Sequence, residues 1–325
     1  MSRRPESWRV PRGARRLRAA GGSSAQKRGI RRRAWLAGTA ALVGAALVIG
    51  GGSWRLLHLS TAAAEASSPP LDRAPDGRKL VMTFDEEFSR FRPWDGGSGV
   101  WRTTFGDGRL TGVPQRTLQA NGELEVYVDA DMSDAAGRIG VDPFKLRDGV
   151  LEITAARTPA ALIPRLGGYA YTSGLITTQP SFSQRYGYFE MRARIPRGKG
   201  LWPAFWLLPA DLSWPPEIDV MESVGDPSRV YVTAHSNTRK ADGIEVRISP
   251  DAFHVFAVSW GPEMLVWYVD GREAGRQPTP PDLNKPMYML ANLALGGGWA
   301  GAPDATTPLP ATYAIDYIRA YRFAS

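Results

Sequence analysis

The chain has 325 residues, of which 43% are apolar and 22% charged, so it is long enough for one large domain or two small ones. It contains no cysteine, which excludes disulfide bonds, thiolate metal ligands and cysteine nucleophiles. The formal net charge is +8, but residues 1–33 alone carry +11 and the rest of the chain carries −3. The charge distribution therefore argues against a nucleic-acid partner and indicates a basic N-terminal tail.

An uncharged apolar segment, residues 34–52, follows the basic tail directly. Its length falls within the roughly 17–25 residues that span a bilayer as a helix, and preceding arginines keep that end in the cytoplasm. We therefore expect a single-pass membrane anchor with the N-terminus cytoplasmic and the following domain periplasmic or extracellular. The alternative is a signal peptide cleaved near "TAAAEA", residues 61–66, which leaves a secreted protein.

Residues 53–79 are rich in Pro and Ser and are predicted to be a linker. Beyond it, short apolar runs alternate with Gly, Pro, Asn and Asp, and long helical periodicity does not occur. In "YGYFEMRARI", residues 186–195, apolar and polar side chains alternate with the period of a strand. Similar strands are predicted at 253–260, 264–271, 287–295 and 313–323. Residues 80–325 are thus predicted to form an all-β domain, an antiparallel β-sandwich or jelly roll.

The stretch "EIDVME" carries three carboxylates within a segment that otherwise reads as a buried strand. Strand alternation places Glu217 and Asp219 on one face but sends Glu222 towards the core. An unpaired buried carboxylate is costly, so we predict a β-bulge at Val220–Met221 that returns Glu222 to the face of the other two. Three carboxylates then line one surface.

Two carboxyl groups about 5–5.5 Å apart suit double displacement at a glycosidic carbon, in which one attacks and the other protonates the leaving oxygen. Asp219 lies between them and is expected to share a proton with Glu217, because close negative charges raise a neighbour's pKa. Taken alone, such a triplet also occurs on solvated strands and among calcium ligands.

Aromatic residues near the triplet favour a carbohydrate site, because sugar C–H groups pack on flat apolar rings. Trp214 precedes the carboxylates and Trp299 follows a triple glycine, both in loop-like contexts. Trp202 and Trp206 lie just upstream, where a core role is the alternative. His235 falls on the next predicted strand, where it either contacts an active carboxylate or is a half-buried structural histidine.

Several ordered motifs together resemble glycoside hydrolase family 16, the laminarinase and lichenase type of bacterial endo-β-glucanases. They are "TFDEEF" (83–88), "YTSGLITTQPSFSQRYGYFEMRARIPRGKGLWPAFWLLP" (171–209), "EIDVMES" (217–223), "LANLALGGGWAG" (290–301) and "AIDYIRAY" (314–321). The resemblance implies a jelly roll with an open concave cleft, and retaining hydrolysis of internal β-1,3 or β-1,4 linkages without a required cofactor. By this resemblance Glu217 is the nucleophile, Asp219 the assistant and Glu222 the acid/base.

The resemblance also implies further site residues. Positions that match the lining of the family's cleft are Asn121, Glu125, Arg192, Trp202, Trp214, His235, Asn292 and Trp299. A structural calcium ion is frequent in the family, and Glu87 and Asp316 lie on the matching strands.

The chain departs from many laminarinases at Pro216, where they have Gly, and "SWPPEIDVMESVGDPSRVYVTAHS" is more similar to members that cut bacterial exopolysaccharides. We therefore expect a monomer that hydrolyses a β-glucan or an exopolysaccharide. Two alternatives stay open: a transglycosylase that remodels the same polymers with the same residues, and a non-catalytic glycan-binding module.

Overall fold

The computed structural model of the protein describes residues 69–106 and 113–324. Within these residues the chain is all-β, as predicted, with eighteen strands and very little helix. The strands are β1 (Leu80–Glu86), β2 (Glu125–Tyr127), β3 (Ser133–Asp134), β4 (Gly137–Arg138), β5 (Phe144–Arg147), β6 (Val150–Arg157), β7 (Tyr171–Ser173), β8 (Leu175–Thr177), β9 (Gly187–Arg194), β10 (Leu201–Pro209), β11 (Glu217–Glu222), β12 (Arg229–His235), β13 (Ile244–Arg247), β14 (His254–Trp260), β15 (Met264–Val269), β16 (Arg272–Pro278), β17 (Met287–Leu295) and β18 (Ala311–Phe323). The helices are three 3-10 turns, Val113–Gln115, Gln119–Asn121 and Ala160–Leu162, and α1 (Gly297–Ala300).

Two sheets hold most of these strands. The six-stranded sheet has the order β13-β12-β11-β10-β17-β8. The ten-stranded sheet has the order β16-β15-β14-β9-β18-β6-β7-β2, with β1 added to β18 and β5 to β6. Nearly all neighbours are antiparallel, and the pair β2–β7 is parallel. The small hairpin β3–β4 stands apart from both sheets.

The hydrophobic core lies between the two sheets, because each strand turns alternate side chains towards the other sheet. Strand β9 shows this clearly: Phe189, Met191 and Ala193 are fully buried in the main core. From the six-stranded sheet, Phe205 and Ile218 enter the same core. Burying one such side chain stabilises the fold by about 1.5–3 kcal/mol. The remaining faces of both sheets point away from this core.

The chain joins the domain earlier than the sequence indicates. Ala74 is 4% exposed, and the backbone N–H of Leu71 donates to the Tyr321 hydroxyl at 3.3 Å. With Leu80 these residues cover the outer face of the ten-stranded sheet. The prediction of a linker up to residue 79 is therefore wrong from Leu71 onwards, because apolar side chains in this short segment find a sheet surface that is not visible in the sequence.

The predicted membrane segment, residues 34–52, lies outside the described residues, as does the basic tail. The part of the chain that is described contains no helix long and apolar enough to cross a membrane.

Candidate active site

The predicted β-bulge is present in β11. Trp206 pairs with Asp219 and Phe205 pairs with Met221, so Val220 is the additional residue. Val220 and Met221 both enter the core, together with Ile218. Glu217, Asp219 and Glu222 consequently share the opposite face, which we call the carboxylate face of the six-stranded sheet. The cost of a carboxylate in the core is avoided by local backbone irregularity, as the sequence indicated.

Two tryptophans orient the outer carboxylates of the triplet. The indole Nε1–H of Trp214 donates to Glu217 Oε2 at 2.7 Å. The indole Nε1–H of Trp202 donates to Glu222 Oε1 at 2.9 Å. An indole is a donor only, so each contact fixes one carboxylate oxygen and leaves the other oxygen available. Both predicted aromatic residues thus lie at the site, although their polar edges as well as their rings contribute.

His235 supplies positive charge to the carboxylate face. It pairs with Glu217 across β11 and β12, and its Nε2 lies 3.1 Å from Asp219 Oδ2 and 4.0 Å from Glu217 Oε1. Burial opposes the charged imidazole, but the contact with Asp219 and the nearby carboxylate charges outweigh it and raise the pKa of His235 to about 10. His235 is therefore cationic at neutral pH.

The three carboxyl groups hold protons more tightly than isolated ones. Burial, then the charge of Glu217, raises the pKa of Glu222 to about 7. Burial and the charge of Asp219 raise the pKa of Glu217 well above 4.5. Burial and the charge of Glu222 raise the pKa of Asp219, although His235 and a hydrogen bond with Glu217 oppose the rise. In this site Glu217 and Asp219 share one proton, and the pKa of Glu222 lies near neutral pH.

Glu217, Asp219 and His235 have the residue types of a metal site, with one ligand atom from each within 4.8 Å of the others. While it is protonated, the imidazole of His235 has no lone pair for a metal, so metal binding would require loss of that proton. In the protonated form the three side chains form an ion-pair cluster.

An aromatic group stands beside Glu222. Trp299, on α1, packs edge-on against Trp202 with 5.5 Å between ring centroids and against Tyr231 with 4.9 Å. Tyr231 pairs with Glu222 across β11 and β12. Asn121 lies at the same edge. Its carbonyl oxygen is 3.3 Å from the point where a Cβ atom would lie if Gly297 carried a side chain. Trp299 and Asn121 thus lie beside Trp202, the partner of Glu222, and a contact of either residue with a substrate stays a prediction.

Asn292 lies in the same cross-strand row as Glu222, since both pair with Ala204 of β10. Its side chain accepts from Trp206 Nε1 at 2.7 Å and donates to the Tyr127 hydroxyl at 3.0 Å. This network forms the floor of the site. Sequence reasoning missed Tyr127, because the alternation of "ELEVYV" places it on the same face as Glu123 and Glu125 and so does not mark it as buried.

Sequence reasoning also missed Tyr288. It pairs with Leu208 across β10 and β17, is 5% exposed, and lies near enough to Glu217 for that charge to contribute to its raised pKa after burial itself. Nothing in the sequence distinguishes this tyrosine from a core residue of "MYMLANLAL".

Two predicted substrate-binding residues need correction. Arg192 lies on β9 of the ten-stranded sheet, on the face away from the core, and its Nη1 bonds Asp316 Oδ2 at 2.7 Å. It is therefore not at the carboxylate face, because β9 belongs to the other sheet. Glu125 is 0% exposed, and its Oε2 accepts from the Leu295 N–H at 2.7 Å. It lies behind the site rather than on its surface.

The two proposed calcium ligands each engage an arginine. Glu87 accepts from Arg319 at 2.6 Å, and Asp316 accepts from Arg192 at 2.7 Å. Calcium requires six to eight oxygen ligands, and these carboxylates already compensate cations. The pair does not fit a calcium site as it stands, and calcium binding stays a prediction.

Three carboxylates on one face of a strand in a two-sheet β-sandwich, the outer two each bound by a tryptophan, have the residue types that glycoside hydrolysis uses. The family model described as Glycosyl hydrolases family 16 matches residues 133–319, more than half of the chain. The chain therefore belongs to this family, as its motifs predicted.

Individual relatives agree with this assignment. The chain is 43% identical over 273 residues to the endo-1,3-1,4-beta-glycanase ExsH and 41% identical to EglC, both from Rhizobium meliloti strain 1021. Each alignment covers 82% of this chain and 57% of the relative, so the chain spans little more than half of their length. Among solved structures, the endo-beta-1,3-glucanase of Pyrococcus furiosus is 30% identical with a TM-score of 0.65, covering 79% of this chain and 100% of that one.

Proposed function

We propose that the protein is an endo-acting, retaining β-glycanase that cleaves internal β-1,3 or β-1,4 linkages of a β-glucan or bacterial exopolysaccharide. One observation carries the proposal: the bulge in β11 places Glu217, Asp219 and Glu222 on one face of the strand, opposite the core. The pKa of Glu222 is raised to about 7, which is near the operating pH of a general acid.

In the first step Glu217 attacks the anomeric carbon, and the glycosidic bond breaks as Glu222 donates its proton to the leaving oxygen. The proton shared with Glu217 passes to Asp219, so that Glu217 attacks as a carboxylate, and cationic His235 stabilises the remaining charge. The product is a covalent glycosyl ester on Glu217. Trp214 holds the other oxygen of Glu217 and thereby fixes the attacking geometry.

In the second step a water molecule attacks the same carbon while Glu222, now a carboxylate, takes its proton. The ester bond to Glu217 breaks, and two inversions leave the configuration retained. Together the two steps consume one glycosidic bond and one water molecule and produce one new reducing end and one new hydroxyl group. In transglycosylation a sugar hydroxyl replaces the water at this step.

The substrate class follows from the relatives that bear glycanase names and from the aromatic surface. Trp214 is 36% exposed, and Trp299 with Tyr231 presents ring faces on the other side of the triplet. Rings on both sides of the reacting centre suit a polymer that continues in both directions, and hence internal cleavage. The names of ExsH and EglC favour mixed 1,3-1,4 linkages. We further propose that the domain acts outside the cytoplasm as a monomer, exported and anchored by residues 34–52.

A reducing-sugar assay on a panel of polymers tests this proposal. The full chain, and a Glu217→Gln variant as control, would be incubated with laminarin, mixed-linkage β-glucan, agar, carrageenan and a succinoglycan-type exopolysaccharide. Release of reducing ends that disappears in the variant supports the glycanase. Products longer than the starting oligosaccharide would support the transglycosylase instead. Binding without cleavage of any polymer would contradict catalysis and favour a binding module.

A further inference from the structure

Behind the site lies a second pair of carboxyl groups that the proposed mechanism does not use. Glu123 is 6% exposed and Glu125 is 0% exposed, and the two carboxyl groups lie close enough for each to influence the protonation of the other. Within residues 69–106 and 113–324, neither carboxyl forms an ion pair with an arginine, lysine or histidine. The nearby Arg116 is paired with Asp129 at 2.8 Å instead.

Hydrogen-bond donors are unequally distributed between the carboxyl groups of Glu123 and Glu125. Glu123 accepts from the Leu118 N–H and from Asn121 Nδ2, both at 3.1 Å. The Glu125 carboxyl accepts from the Leu295 N–H through Oε2, whereas its buried Oε1 has no donor. The hydrogen bonds of Glu123 suit a carboxylate. The vacant oxygen of Glu125 suits a protonated acid that donates to Glu123.

The pair ties two segments together at the carboxylate face. Glu123 forms an isolated bridge with Gly296, Leu124 N–H donates to the Leu295 carbonyl at 2.8 Å, and Gly297 N–H donates to the Gly122 carbonyl at 3.0 Å. These contacts hold the segment 295–300, which carries Trp299, against residues 121–125. Trp299 in turn packs on Trp202, the partner of Glu222.

The other titratable group that faces the pair is Tyr127, which is 0% exposed. Its hydroxyl accepts from Asn292, and after burial the charges of Glu125 and Glu123 contribute to its raised pKa. Strand β7, which pairs with β2, places Tyr171, Thr172 and Ser173 opposite residues 125–127, and no charged residue. Two ionised carboxylates in this environment would repel each other without compensation, so burial and the charge of Glu123 raise the pKa of Glu125 well above 4.5.

We propose that Glu123 and Glu125 share one proton and act as a positioning pair that holds segment 295–300, and with it Trp299, at the carboxylate face. Neither residue touches the reacting atoms. The pair acts through the backbone of Leu295 and through the Tyr127–Asn292–Trp206 network. Loss of the shared proton loosens the segment, because both carboxylates would then be buried with like charge.

The shared proton makes the free energy of unfolding depend on pH in a specific way. When the pKa of a carboxyl is raised by folding, the folded state binds more protons than the unfolded state at any pH between the unfolded and the folded pKa. Its contribution is fully present below the unfolded value of 4.5 and is lost as the pH rises through the folded value. A glutamine at the same position cannot lose a proton and abolishes this dependence.

The first test does not involve activity. The melting temperature of the wild type, Glu125→Gln and Glu123→Gln would be measured from acid to alkaline pH, with Glu263→Gln, an exposed turn position, as matched control. We expect the alkaline decline to be smaller in both pair variants, and the double variant to gain no more than either single one. The infrared absorption of protonated carboxyls from ¹³C-labelled glutamate should lose the contribution of one carboxyl in Glu125→Gln, since Glu190, Glu217 and Glu222 also have raised pKa values. Identical declines in all five proteins, or an unchanged protonated-carboxyl absorption in Glu125→Gln, would overturn the proposal.

The second test addresses positioning and rests on the proposed function. In a Glu222→Gln background, binding of a mixed-linkage β-glucan oligosaccharide would be measured by calorimetry with and without Glu125→Gln. The dissociation constant should rise at least about fivefold from mildly acid to mildly alkaline pH, and this rise should disappear when Glu125 is Gln. A rise that persists unchanged would show that the pair does not position the site. If the oligosaccharide does not bind at all, the proposed function fails, whereas the melting and infrared results stand on their own.

Discussion

Glu222 at the carboxylate face and Glu190 on the outer face of the ten-stranded sheet have similar electrostatics and different surroundings. Burial is the main cause in both cases and raises each pKa to about 7. Glu190 is 2% exposed, accepts from the Tyr321 hydroxyl at 3.0 Å and lies 3.9 Å from Arg319. Glu222 remains partly exposed, and its strongest electrostatic neighbour is another carboxylate, Glu217.

The comparison shows that a raised pKa alone does not identify a catalytic acid. The outer face compensates Glu190 with an arginine and covers it with the N-terminal segment that packs at Ala74 and Leu80. At the carboxylate face, three acids share the charge of one histidine, and Glu222 keeps part of its side chain exposed. Carboxylates that outnumber their cations are costly for folding, and it is this excess that indicates chemistry.

The largest expected effect on kcat distinguishes the carboxylate face from the outer face of the ten-stranded sheet. Glu217→Gln and Glu222→Gln should each lower kcat by at least about 10³-fold, because one removes the nucleophile and the other the acid. Glu190→Gln, the matched control, should leave kcat within about twofold. Steady-state kinetics on the best polymer measures all three. The account fails if Glu190→Gln is as damaging as Glu222→Gln while its melting temperature is unchanged.

A smaller loss is expected for Asp219→Asn, about 10–100-fold in kcat with little change in KM. The amide cannot take up the proton that Glu217 must release, and it removes the partner of His235. The test compares kcat and KM with those of Asp316→Asn, an acid on β18 away from the site. A main effect on KM would assign Asp219 to substrate binding instead.

The pH dependence of kcat/KM should report the proton of Glu222. The group must be protonated to act as an acid, so the rate should fall as the pH rises through about 7, approaching tenfold per pH unit. The residual activity of Glu222→Gln should not show this alkaline limb, the fall in kcat/KM as the pH rises. A limb that persists unchanged in the variant would assign the titration to another group.

The smallest effect tests the tryptophan donor. Trp202→Phe removes the N–H that favours the ionised form of Glu222, so the alkaline limb should move to higher pH while kcat falls only about threefold to tenfold. Trp94→Phe, in a loop outside the site, serves as control. A shift to lower pH would contradict the role assigned to this hydrogen bond.

Local chemistry made parts of this structure predictable. The bulge in β11 followed from the cost of burying Glu222, and the faces of β9 followed from alternation. Arg192 could not be placed, because alternation gives the face of a strand but not the sheet it joins. The burial of Glu125 was equally hidden, since alternation gives the face of a strand but not how closely other segments cover that face. The packing of residues 71–79 depends on a sheet surface formed by distant strands.

The most direct test of the central claim is the anomeric configuration of the first product, followed by proton NMR on a defined β-linked oligosaccharide. If Glu217 attacks the anomeric carbon, the new reducing end appears first as the β-anomer and the α-anomer grows in later by mutarotation. An α-anomer that appears first would show single inversion, and would contradict both the covalent intermediate and the roles assigned to Glu217 and Glu222.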